Sequence, residues 1–196
     1  MRLGSVFCVV AGGLVLAGCS SPPPVSRPPV PSFSAASTSS VAAITAVPRG
    51  CDEVAEEADV DQIAGHQLPG SMAPVVGVPM PSINRTARLD CYYGIPPGQP
   101  PAAAAVSIGI ASYSDAASAQ HRAALTVTDA RNSGAQASDV RVAGQQAVLL
   151  AGPQDQELVL AHGELTVLVS ARAGVLPAGK TGPPLIALAQ RALTAH

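Results

Sequence analysis

Prolines partition this chain more forcibly than any other feature. Six fall between Pro22 and Pro31, four between Pro69 and Pro81, four between Pro96 and Pro101, and Pro183-Pro184 stand near the end. Each proline fixes its own φ, removes an amide donor and biases the preceding residue toward extended backbone. Helices and central strands are therefore confined to the stretches between the clusters. Residues 20 to 50 combine the first cluster with "SFSAASTSSVAA", a composition that buries no core and reads as a linker, stiff at first and looser later. Residues 51–196 are then one domain. Its only aromatics are Tyr92, Tyr93 and Tyr113, because Phe7 and Phe33 lie earlier and the chain has no tryptophan. The core must come from Ala, Val, Leu and Ile.

Ahead of the linker, Arg2 is followed by an apolar run over Val6 to Leu16 and by Leu16-Ala17-Gly18-Cys19. That is the layout of a secretory signal, and its last four residues resemble the bacterial lipobox. The resemblance implies a leader of residues 1–18, a diacylglyceryl group on the thiol of Cys19, and a linker, residues 19–50, that carries the body from a lipid anchor. The run is shorter than the roughly 20 residues of a membrane span. Two or more acyl chains make such attachment stable without one. Cys8 belongs to the leader and has no mature role.

Cys51 and Cys91 remain in the body. In an exported chain a lone pair reads as a disulfide. A metal site is the alternative, but no other cysteine lies near and the four histidines are scattered.

The pattern of the body predicts an α+β fold. "CDEVAEEADVDQIAG" reads as a helix closed by Gly65, and residues 66–87 as a long loop. "RLDCYYGI" and "AAAAVSIGIASY" read as strands, the second with Val106, Ile108 and Ile110 on one buried face. Residues 114–134 form a helix with Ser114 or Asp115 placed to cap it and Gly134 to stop it. Strands follow around Val140 to Leu150, at Glu157 to Ala161 and at Glu164 to Ala171, the last two joined by a His162-Gly163 turn. A closing helix carries Leu185, Leu188, Ala189, Ala192 and Leu193 as one apolar stripe. The expectation is a mostly antiparallel sheet of about five strands with helices packed on one face.

Gly174 to Thr181 matches G-x-x-x-x-G-K-[ST], the phosphate-cradling loop. In that loop the helix begins within the motif, so that its amides face the phosphate. Here Gly182-Pro183-Pro184 follows at once. The expectation is a turn with Lys180 in solvent and no bound nucleotide. Asp52, Glu53, Glu56, Glu57, Asp59 and Asp61 read as a solvated helix face rather than a calcium loop, which needs carboxylates at irregular positions around a glycine turn. His66, His121 and His162 lack a companion at metal-binding spacing, and no G-x-S-x-G elbow is present. Asn84-Arg85-Thr86 fits a glycosylation sequon, to which a bacterial-type lipobox gives no meaning. The net charge of −2 offers no basic face for nucleic acid.

The lipobox at Cys19, the Pro/Ser linker, a helix opening at Cys51, the strand Asp90-Cys91-Tyr92-Tyr93 and the Gly144-Gln145-Gln146-Ala147 turn and strand together resemble the small actinobacterial, mycobacterial-type cell-envelope lipoproteins of unknown function. The resemblance implies surface binding or accessory roles. The expected function is that of a non-catalytic, cofactor-free lipoprotein on the extracytoplasmic face of the cell membrane, using its sheet face or long loop to bind another envelope component, protein or lipid. An alternative is a carrier of an apolar ligand in a cavity under the 66–87 loop. A hydrolase would need a nucleophile–base signature that the chain lacks.

Overall fold

The computed structural model describes residues 43–177 and 182–194. Cys8, Cys19, most of the linker and the end of the phosphate-loop match, including Lys180, lie outside these residues. The chain runs α1 (Cys51–Val54), α2 (Glu57–Ala64), β1 (Ser71–Gly77), β2 (Arg85–Ile95), β3 (Val106–Tyr113), α3 (Ala116–Asn132), β4 (Gln136–Val142), β5 (Gln145–Ala151), β6 (Asp155–His162), β7 (Leu165–Arg172) and α4 (Gly182–Leu193). Among the described residues one sheet of seven strands, in the order β1-β2-β3-β7-β6-β5-β4, is antiparallel throughout. The α+β class holds, and the expected five strands become seven.

Both additional strands have a local cause. Residues 66–87 are not a long loop, because Ser71–Gly77 pairs with β2 and places Pro74 opposite Cys91. A proline removes a ladder donor, so it is tolerated only where the strand is an edge, as β1 is. The single strand expected around Val140 to Leu150 is a hairpin that turns at Ala143-Gly144, with φ of 48° and 82°. An alanine in the left-handed region hides the turn that Asn-Gly would announce. In the β6–β7 hairpin His162 still pairs with Leu165, so the turn is Gly163-Glu164, one residue later than expected.

The single helix expected from Cys51 to Gly65 is interrupted. Ala55 takes an extended backbone between α1 and α2, and Gly65 closes α2 at φ 80°. Cys51 is bonded to Cys91 across a Cα separation of 5.5 Å, which fastens α1 to β2. Packing reaches back before Cys51: Ile44 and Val47 lie against the core, and the Ile44 amide donates to the Leu193 carbonyl at 2.9 Å.

The helices cover both faces of the sheet, not one. Leu158, Leu160, Val167 and Val169 pack with Leu185, Leu188, Ala189 and Ala192 of α4, alongside Val54 and Val60. On the opposite face Val159, Val148 and Leu150 pack with Ala123 and Val127 of α3. Strands buried on both sides read as continuous apolar runs, and β6 and β7 carry "LVLA" and "LTVLV". In β2 and the first part of β3 large apolar residues alternate with polar or small ones, as in a sheet covered mainly on one side, while Ala111 and Tyr113 at the end of β3 pack against Ala119 of α3. α3 begins at Asp115, whose carboxylate accepts from the Ser118 amide at 2.7 Å, and Gly134 follows its end at φ 92°.

Candidate functional site

α3 lies mainly across β6 and β7, packs Ala119 against Ala111 and Tyr113 of β3, and stops short of the same face of β2. Along its flank lies a trough made of two adjoining cavities. The first, about 320 Å³, is bounded by Arg88 and Asp90 of β2, Gly109 and Tyr113 of β3, Thr166 of β7, Glu157 of β6 and one edge of α3, including Arg122 and Asp129. The second, about 440 Å³, is bounded by Leu150, Gly152, Gln154 and Asp155. Ala130, Ser133 and Glu157 line both, so the cavities adjoin and Glu157 stands on the side they share.

The floor is set by the two-residue period of the strands. Leu89, Cys91 and Tyr93 point to the α4 side and are buried, which sends Arg88, Asp90 and Tyr92 to the other. Arg88 Nε donates to Asp90 Oδ2 at 2.6 Å, and the Asp90 side chain is only 11% exposed. This bond, ahead of the burial that opposes it, raises the Arg88 guanidinium further above its ordinary value. Asp90 fits because its neighbour across the strand pair is Gly109. A Cβ on Gly109 would stand 2.7 Å from Asp90 Oδ1, so a side chain there displaces the carboxylate.

The Glu157 carboxylate accepts no hydrogen bond and joins no ion pair among the described residues. Burial, and after it the negative charge of Asp155, raise its carboxyl above the ordinary carboxylate range. Arg172, opposite Asp155 in the β6–β7 register, spends a guanidinium N–H on the Ala102 carbonyl at 2.9 Å. Neither histidine nor cysteine lines either cavity.

The residues singled out in the sequence lie elsewhere. Gly174 is a turn at φ 84° after β7, and α4 starts at Gly182, after the phosphate-loop match, with both prolines in its first turn. Of the six clustered acids, Glu53 accepts from the Arg49 amide at 2.9 Å, Asp61 from the Leu68 amide at 2.8 Å, and Asp59 pairs with Arg191 at 3.2 Å. These bonds close turns and join α2 to α4. His66 stands 3.3 Å from the Ala64 carbonyl, and the Asn84 amide donates to Ser118 Oγ at 3.1 Å. Among the described residues no group of three or more His, Cys, Asp or Glu is placed to hold a metal ion. The sequence reading did not single out the trough residues. The available signal was the contrast between alternation in β2 and β3 and continuous burial in β6 and β7, into which Glu157 intrudes as a charged residue.

No protein-family model and no characterised protein matches the chain. Among solved structures it is similar to the extracellular domain of PknH from Mycobacterium tuberculosis, at 13% identity and a TM-score of 0.43, over 72% of this chain and 93% of that domain. That distance carries nothing about the trough.

Proposed function

We propose that the chain is a lipid-anchored, non-catalytic binding module on the extracytoplasmic face of the membrane, and that it holds another envelope component in the trough beside α3. The observation that carries the reading is Glu157, an unpartnered and half-buried carboxylate at the junction of two open cavities. Burying a charge without a partner destabilises a fold, so a carboxylate kept in that position is poised for a group supplied from outside. The Cys51–Cys91 disulfide suits an exported body. The Leu16-Ala17-Gly18-Cys19 sequence supplies the attachment, and no helix among the described residues is long and apolar enough to cross a membrane. Part of the 66–87 segment under which an apolar-ligand carrier would hold its cargo, residues 71–77, is a sheet strand.

Two measurements test the reading. Cys19→Ala releases the protein from salt-washed membranes; retention of the variant removes the anchor. Titrating the isotope-labelled protein with solubilised envelope fractions shifts the amide resonances of Asp129, Ser133, Gln154 and Glu157 together. Shifts that cluster on another surface, or none at saturation, remove the trough.

A further inference from the structure

Three polar side chains on the floor of the first cavity are more than nine-tenths buried: Tyr113 is 4% exposed, Asp90 7% and Thr166 9%. The fold leaves polar atoms of all three unused. Among the described residues the hydroxyls of Tyr113 and Thr166 have no hydrogen-bond partner, and Asp90 engages Oδ2 but not Oδ1. Arg88 beside them commits only Nε. The sealed, partnerless side-chain atom among the described residues is Arg85 Nε, so the three oxygens open onto the cavity. Buried polar groups are costly without partners, and native folds leave few of them. The strand register gathers these into one hollow. Arg88 faces Ala111 across β2–β3, and Ala111 faces Thr166 across β3–β7. In the next row Asp90, Gly109 and Leu168 stand side by side. Arg88 and Thr166 are two strand spacings apart, roughly 10 Å, with only Ala111 and Gly109 between the two sides. Tyr113, two residues beyond Ala111 on the same face, closes one end, and its phenol lies within electrostatic reach of the Arg88 guanidinium.

We infer that the first cavity takes a neutral carbohydrate, with neighbouring hydroxyls of a sugar ring bonded to Arg88, Asp90, Tyr113 and Thr166. The inference rests on the trough reading above and names its ligand class. The uncommitted groups decide between chemistries. An anion brings only acceptors and would meet Asp90 Oδ1, whereas an ammonium brings only donors and would meet the Arg88 guanidinium. A sugar hydroxyl both donates and accepts, so a vicinal pair accepts from Arg88 while donating to Asp90 Oδ1, and the Tyr113 and Thr166 hydroxyls rotate to suit either role. An extended peptide also brings donors and acceptors, but spaced about 3.3 Å apart along one line, whereas the uncommitted groups here spread across three strands. Val159, Leu168, Ala123 and Ala130 give the cavity an apolar wall for the C–H face of a ring. Its volume of about 320 Å³ lies at the small end of ligand sites, the scale of a short saccharide.

The experiment titrates the full, isotope-labelled chain with neutral di- and trisaccharides of glucose, galactose, mannose and xylose. Acetate, inorganic phosphate and a triglycine blocked at both ends are titrated beside them. At least one sugar is expected to shift the amide resonances of Asp90, Gly109, Tyr113 and Thr166 together. Thr166→Val and Tyr113→Phe keep the shape of each side chain and remove its hydroxyl. Each should weaken that sugar roughly two- to tenfold, the size of one hydrogen bond. Neither hydroxyl has a partner in the fold, so both variants should melt at or above the temperature of the parent. Sugar binding unchanged in either variant overturns the assignment, and so does a clear drop in melting temperature, which would give the hydroxyl a structural role. Acetate, phosphate or the blocked peptide shifting these resonances where no sugar does overturns the carbohydrate and leaves the trough standing. Failure of every probe while solubilised envelope fractions shift trough resonances does the same. Envelope fractions that shift no trough resonance remove the trough itself.

Discussion

The hydroxyl of Tyr93 donates to the carbonyl oxygen of Ala55 at 2.9 Å, inside the core. Ala55 is the residue at which the first helix breaks, so this bond satisfies a carbonyl that the interruption would otherwise strand. Tyr93 is the largest fully buried side chain among the described residues, and burial raises its phenol well above the ordinary value, which keeps it protonated as a donor. Tyr93→Phe retains the ring and orphans the Ala55 carbonyl. It is expected to cost about 1–3 kcal/mol, read as a lower urea midpoint at unchanged slope.

Two residues before Tyr93, Cys91 is bonded to Cys51 over a sequence separation of 40. The chain-entropy estimate for such a loop is about 4 kcal/mol, a large part of a typical domain stability of about 5–15 kcal/mol. Both cysteines are buried, so Cys51→Ala with Cys91→Ala removes the crosslink without burying new hydroxyls. The double variant should unfold at markedly lower urea, with amide exchange of α1, α2 and β1 accelerating first. Two alkylatable thiols in the unreduced mature protein would contradict the bond.

Gly109→Ala tests the floor of the trough. The added Cβ meets the Asp90 carboxylate and should cost about 1–3 kcal/mol. Asp90→Ala in the same chain removes the obstacle, so the pair should be non-additive, with a coupling of about 0.5–3 kcal/mol. Additive losses would show that Gly109 and Asp90 do not share this space.

Glu157 is expected to destabilise the empty protein as pH rises. Its carboxyl is raised in the folded state, so the fold binds that proton more tightly than the unfolded chain does. Its contribution to stability is therefore fully present below the unfolded value of about 4.3 and is lost as pH climbs through the folded one. Glu157→Gln removes this dependence. The melting temperature of the variant should match the parent's below about pH 4 and exceed it at neutral pH; a parent more stable than the variant at neutral pH would mean that Glu157 has a partner within the fold.

The sequence by itself determined whatever depends on near neighbours. The proline clusters divided linker from body, Asp115 and Gly134 bounded α3, and the stripe from Leu185 to Leu193 gave α4 its buried face. The lone Cys51 and Cys91 announced their pairing. Only the tertiary structure decided that Ser71–Gly77 is a strand, because a proline forbids a central position and permits an edge, and nothing local says which is available. It also decided that α3 and α4 lie on opposite faces. A strand's pattern records that a side chain is shielded from water but not which element shields it. The trough follows from that choice: α3 spans β5, β6, β7 and β3 and stops short of β2, and this brings Arg88, Arg122 and Glu157, from three separate elements, around one opening.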